Sequence, residues 1–258
     1  MLKSLTVLFA VGFCALSVAP QTVAPSLTDQ LSAVTARGRL LAEYDIASWH
    51  STDAVQASHP VESDVEGYVA QKTDKGWVVD YGKLSENRDR FLIAYEATQA
   101  GAADKFDVNK ISPPREDTGF CWKAALARET ARKDFHGENR PYNFSVLPAD
   151  SGQFYVYIFP AQTVDKVYPF GGDVRYLVSP DGLNITEKVQ LHKTILELDY
   201  RNPKIKVAGG YHTDIFSDIP VDTDVFFVLI RKPLMPEFVG ARGHSFQIKI
   251  DGTIVPQK

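Results

Sequence analysis

The stretch Gly209–Asp224 gathers the densest set of potential metal ligands in the chain: His212 is followed by Asp214, Asp218, Asp222 and Asp224. Imidazole and carboxylate are donors that zinc takes, three or four at about 2.0–2.3 Å, and a site with three protein donors keeps a position open for water or substrate. Residues two apart on a strand share a face, so His212 and Asp214 are expected side by side at a strand end. Asp224, in the first turn of a following helix, returns a carboxylate to the same point, where the helix N-terminus favours negative charge. His212, Asp214 and Asp224 are therefore the expected metal ligands, with His192, Ser217 and Asp222 as neighbouring candidates. His192, at or just beyond the end of a predicted strand, can approach His212 across a sheet, although packing against the sheet is the plainer use of such a residue.

Other chemistry is sparse. His50, His59 and His136 are isolated, and His244 follows Arg242-Gly243 in a turn. No His-Glu-x-x-His, Gly-x-Ser-x-Gly, Walker loop or dinucleotide fingerprint is present. Cys121 opens a predicted helix, where a thiol pKa is lowered, yet a small buried residue is the commoner use of a lone Cys there. The aromatic runs Phe154–Phe159 and Tyr168-Pro169-Phe170 suit a core.

The elements that must hold these residues are partly legible. Ser26 or Thr28-Asp29 caps a helix over 27–57. A meander follows, with strands at 67–73, 77–84 and 90–98, and then a loop from Gly101 to Pro114. Asp117 or Thr118 caps a second helix whose Phe120, Ala124, Ala127, Ala131 and Phe135 keep a helical period, with Gly137 as its terminator. Hairpins are expected at 142–159 and 173–191. A strand over 206–211 follows, then an apolar run over 224–232, strand or helix by its composition and read as a short helix ended by Pro233, and closing strands at 237–240 and 245–250 that turn at Asp251-Gly252 into 253–255. The fold class is α+β: an N-terminal helix and antiparallel meander (25–112), then a helix plus mixed sheet (113–258).

Residues 1–24 read as a signal peptide, with a basic Lys3, an apolar run Ser4–Ala19, and small residues before Pro20 and Pro25. The run falls short of the roughly 20 residues that span a bilayer, so no stable membrane span is expected after its removal. A secreted or periplasmic location follows. Cys121 is then the lone cysteine of the mature chain, so no internal disulfide is expected. The net charge of −4 is spread without a basic stripe, which argues against nucleic acid as a partner.

The order strand, Gly-x-x-His-Thr, loop, Asp at a helix start, apolar helix and two closing strands resembles the core of the JAMM (MPN/JAB) metallopeptidases. That family carries His-x-His-Pro and, further on, a Ser three residues before an Asp. Both His and the Asp bind zinc, and a Glu on an earlier strand is the general base. Gly210–Thr213 is also similar to the Tyr-His-Thr-His-Pro core of a bacterial domain of unknown function, which has an Asn-Arg-Pro-Tyr-like entry upstream, as Asn139–Tyr142 here. The resemblance covers the chain from Thr118 onward. It implies His212 as first His ligand and Asp224 as the Asp ligand. Asp214 stands where the second His belongs, Ile215 replaces the Pro, Val221 holds the Ser position, and the interval to Asp224 is one residue short. Glu138 is the nearest upstream acid but precedes its strand. A second carboxylate weakens the Lewis acidity felt by a bound water, and without a base that water has no proton acceptor. The expected function is an exported, non-catalytic module that binds a protein or peptide and has a degenerate JAMM-like metal site. The alternatives are a zinc-dependent peptidase or isopeptidase, and a structural envelope protein. The expected cofactor is zinc or none.

Overall fold

The computed structural model describes residues 24–202, 204 and 206–257. The expected signal segment lies, but for its last residue, outside them. Helix α1 (Leu27–Ala57) begins at Ser26, whose hydroxyl accepts from the Asp29 amide while the Asp29 carboxylate accepts from the Ser26 amide. Strands β1 (Gly67–Thr73), β2 (Gly76–Leu84), β3 (Phe91–Gln99) and β4 (Phe106–Asp117) form an antiparallel sheet in that order. The expected loop at 101–114 is thus largely strand. Pro113 and Pro114 mislead because β4 is an edge strand, where a missing N–H costs no ladder bond.

Helix α2 (Phe120–Asp134) has Gly119 at its N-cap, and the Asp117 carboxylate accepts from the Gly119 and Trp122 amides. It ends at an extended Phe135 rather than at Gly137. A second antiparallel sheet runs β5 (Tyr142–Pro148), β6 (Phe154–Pro160), β8 (Val174–Val178) and β9 (Ile185–Gln190). Strands β7 (Val167–Phe170) and β10 (Leu196–Asp199) make a separate ribbon that the sequence reading did not foresee. The last sheet is mixed: β11 (Gly210–Asp214) lies parallel to β12 (Glu237–Ala241), followed by antiparallel β13 (His244–Ile248) and β14 (Ile254–Gln257). Helix α3 (Asp222–Ile230) joins β11 to β12.

The core knits the two halves of the sequence. Leu41, Tyr44 and Tyr95 share one buried cluster with Tyr157, Leu191 and Phe226. Gly38 lets α1 approach α3 closely, since a Cβ there would sit 2.5 Å from the Cβ of Val225. That contact fixes the start of α3, which carries Asp222 and Asp224. Among the described residues no helix is long and apolar enough to cross a membrane.

Candidate metal centre

Three segments converge on one buried point. His192 follows β9, His212 stands on β11, and Asp224 lies in the first turn of α3. The Nε2 atoms of both imidazoles are 3.0 Å from Asp224 Oδ1. None of these three atoms makes a hydrogen bond of acceptable geometry, although all are buried. The two contacts are imidazole–carboxylate pairs of poor hydrogen-bond geometry, and one cation shared by all three atoms would satisfy them better. The donor atoms lie within 4.8 Å of one another, and the cluster could hold a metal ion.

The outward-facing atoms are tied down. His192 Nδ1 is 2.8 Å from Asp173 Oδ1, and His212 Nδ1 is 3.0 Å from Glu237 Oε1. A carboxylate that accepts from Nδ1–H turns the Nε2 lone pair toward the centre, which is the usual support of a metal-ligating histidine. Asp224 Oδ2 accepts from the Val221 amide at 2.8 Å, leaving Oδ1 free to point inward. Glu237 is held in turn by Arg231, which is fully buried and donates from Nη1 at 2.6 Å. Arg231 Nη2 donates to the carbonyls of Met235 and Pro236.

Glycines make the room. A Cβ on Gly210 would lie 2.0 Å from Glu237 Oε2. Gly171 and Gly172 both have positive φ, and a Cβ on Gly171 would lie 2.3 Å from the Thr194 carbonyl. That turn sets Asp173 against His192 and lays the Phe170 ring over both imidazoles, at 4.8 and 4.7 Å.

Charge follows geometry. Burial pulls the His212 imidazolium down, but the Asp224 carboxylate beside it and the hydrogen bond to Glu237 outweigh this and raise its pKa to about 9. Burial is likewise outweighed at His192, by Asp173 and Asp224, and its pKa is raised well above the usual value. Burial pushes the Asp224 carboxyl up, yet the two imidazoles hold it well below the carboxylate range. A cation entering here takes the place of the protons on the two rings.

Of the residues singled out from the sequence, the fold brings His212, Asp224 and His192 together. Asp214 faces the same side of β11 as His212 but is not one of the clustered donors. Its Oδ1 accepts from the amides of Phe216 and Ser217, and its Oδ2 is buried without a partner. Ser217 Oγ accepts from the Ile219 amide. Asp222 turns away from the cluster into a separate ion-pair network with Arg37, Arg175 and Tyr157. Asp173, Glu237 and Arg231 were not foreseen. The only local signal for any of them was the Gly-Gly-Asp run at 171–173. Cys121 donates to Asp80 Oδ2 at 3.3 Å, and burial pushes its thiol up, away from the thiolate a nucleophile needs.

A cavity of about 70 Å³ adjoins the centre, with Phe170 and Asp173 in its wall and Asp45 of α1 opening into it. Asp45 is only half-buried by surface area, but protein surrounds its carboxyl and burial pushes the pKa up to about 7. A carboxyl raised on folding binds its proton more tightly in the native state, so its cost is absent below the unfolded value of 3.8, grows as pH rises, and is complete above the folded value of about 7. Asp45→Asn is expected to stabilise the protein by about 1–2 kcal/mol near pH 8, after allowance for partial solvent access, and by almost nothing near pH 4. Urea unfolding at the two pH values measures this, and an equal effect at both would contradict it.

No family model, curated protein or solved structure matches this chain, and its function is read from the side chains themselves.

Proposed function

We propose that the protein binds one zinc ion through His192, His212 and Asp224, and that this is the centre of a zinc-dependent hydrolase with a JAMM-like core. The observation that carries the reading is the convergence of three buried donor atoms that contact only one another, at 3.0 Å, with each imidazole braced from behind by a carboxylate. Two nitrogens and one carboxylate oxygen suit zinc, and three protein donors leave a position for water. Zinc bound there would supply Lewis acidity, lowering the pKa of a bound water. The sequence of β11, α3 and β12 supports the JAMM-like reading, with His192 giving the second imidazole in place of the residue at 214. Asp214, on the same strand face as His212 and with a buried oxygen that has no partner, would be a carboxylate available as proton acceptor for such a water. The substrate class that goes with such a core is a peptide or isopeptide bond.

A second reading has the same metal without turnover. It is favoured by the depth of the cluster: Asp224 is fully buried, His192 and His212 nearly so, and the Phe170 ring lies against both rings.

Elemental analysis of the purified protein tests the metal reading. About one zinc per chain is expected, lost in His192→Ala and kept in Asp214→Ala. No metal in the wild type, or metal kept in His192→Ala, would overturn it. Glu237→Gln is expected to weaken zinc 10–100-fold, the usual effect of removing a histidine's outer carboxylate. Competition with a chromogenic chelator reads this change. Hydrolysis of a peptide library by the zinc-loaded wild type, lost in Asp214→Asn at full zinc occupancy, separates catalysis from retention alone.

A further inference from the structure

The cavity beside the centre has its own chemistry. Its wall presents two carboxylates, Asp45 and Asp173, and no basic side chain. Asp173 is engaged by His192, whereas burial alone acts on Asp45, and no cation among the described residues answers it. Thr223 Oγ1, also in the wall, is buried without a hydrogen-bond partner. Asn143 adds a side-chain amide, and Phe159 and Phe226 form a tilted aromatic pair at 4.8 Å. An anion in such surroundings is costly unless a cation meets it. Aromatic faces attract cations as well. The volume of about 70 Å³ is several times the roughly 10–15 Å³ that one water needs, which leaves room for a small head group and a short stem.

We propose that this cavity is a binding site for a primary alkylammonium group, with Asp45 as its counter-ion, Thr223 and Asn143 as further acceptors, and the phenyl rings around its methylenes. An ammonium offers three N–H donors and no acceptor, and the cavity offers acceptors without a competing cation. A lysine side chain and a small free amine share this chemistry. The site stands apart from the metal reading, because none of the three proposed polar contacts is a zinc ligand.

The test uses n-butylammonium chloride as probe and n-butanol as its neutral counterpart, titrated by isothermal calorimetry into the full mature chain with a chelator present. Saturable binding of n-butylammonium is expected in the millimolar range, with n-butanol at least 10-fold weaker. Asp45→Asn is expected to weaken n-butylammonium by 10-fold or more at an unchanged circular dichroism spectrum. Thr223→Val, which keeps the shape and removes the hydroxyl, is expected to weaken it several-fold. Equal binding of the alcohol would reduce the site to an apolar hole and overturn the proposal. So would affinity unchanged by both variants, or no saturable binding by the wild type. Repeating the titration with Nα-acetyl-lysine amide and with cadaverine distinguishes a peptide side chain from a free amine.

Discussion

Removing the metal from the zinc-loaded protein with a chelator is expected to lower its melting midpoint by about 8–16 °C. A ligand that binds only the folded state adds about 4.1 kcal/mol at 1,000 times its dissociation constant. In a chain of this size each kcal/mol moves the midpoint by about 2–4 °C. The donors come from three separate segments, so the unfolded chain has no comparable site to offset the gain. His212→Ala is expected to melt at the same temperature with and without the chelator, while Asp214→Ala keeps the difference. A wild type indifferent to chelation, measured after confirmed zinc loading, would sink the centre as described.

Asp222→Ala is expected to cost about 3–5 kcal/mol, the usual price of opening a buried ion pair from one side. Asp222 is fully buried and accepts from Arg37 Nε at 3.0 Å, Arg175 Nη1 at 2.6 Å and the Tyr157 hydroxyl at 2.8 Å. Arg37 can turn to water, but Arg175 is mostly covered and Tyr157 is fully buried, so their donors lose their acceptor. Urea denaturation with an unchanged slope would report the loss directly. The folded fraction is still expected to bind one zinc, because Asp222 faces away from the centre. A loss under 1 kcal/mol, or a loss of zinc at full folding, would contradict this account.

The legible parts of the molecule are those that local physics decides. Ser26 and Asp29 announce α1 because a capping box is complete within four residues. Asp224 is legible for the same reason, by its place in a helix's first turn, whereas the strand expected over 206–211 forms instead as Gly210–Asp214 and holds His212 at its middle. Strand β4 hides behind two prolines that only an edge position excuses, and the β7–β10 ribbon is too short to show a period. His192 is legible as a neighbour of His212, and the fold makes it one of the three clustered donors. Asp173 and Glu237 are ordinary acids until the fold turns them toward an imidazole, and Arg231 resembles a helix-ending base until it is fully buried. Strand alternation places His212 and Asp214 on one face, but the backbone amides of Phe216 and Ser217 claim the Asp214 carboxylate.

The contact of α1 with α3 also sets an order of events. Arg37 and Asp222 are separated by 185 positions, and Arg39 donates to the Asp251 carbonyl 212 positions away. During synthesis the first helix therefore emerges long before its partner exists. Contacts of such sequence separation make folding slow, because the loop must close before it is rewarded. The meander covers Leu41, Tyr44 and Ala47 early, whereas Leu31 and Val34, which pack with Val225 and Val228 of α3, wait uncovered through most of the chain's elongation. The candidate metal donors His192, His212 and Asp224 belong to the last part to arrive, so a cation held there would load late and would complete the molecule rather than nucleate it.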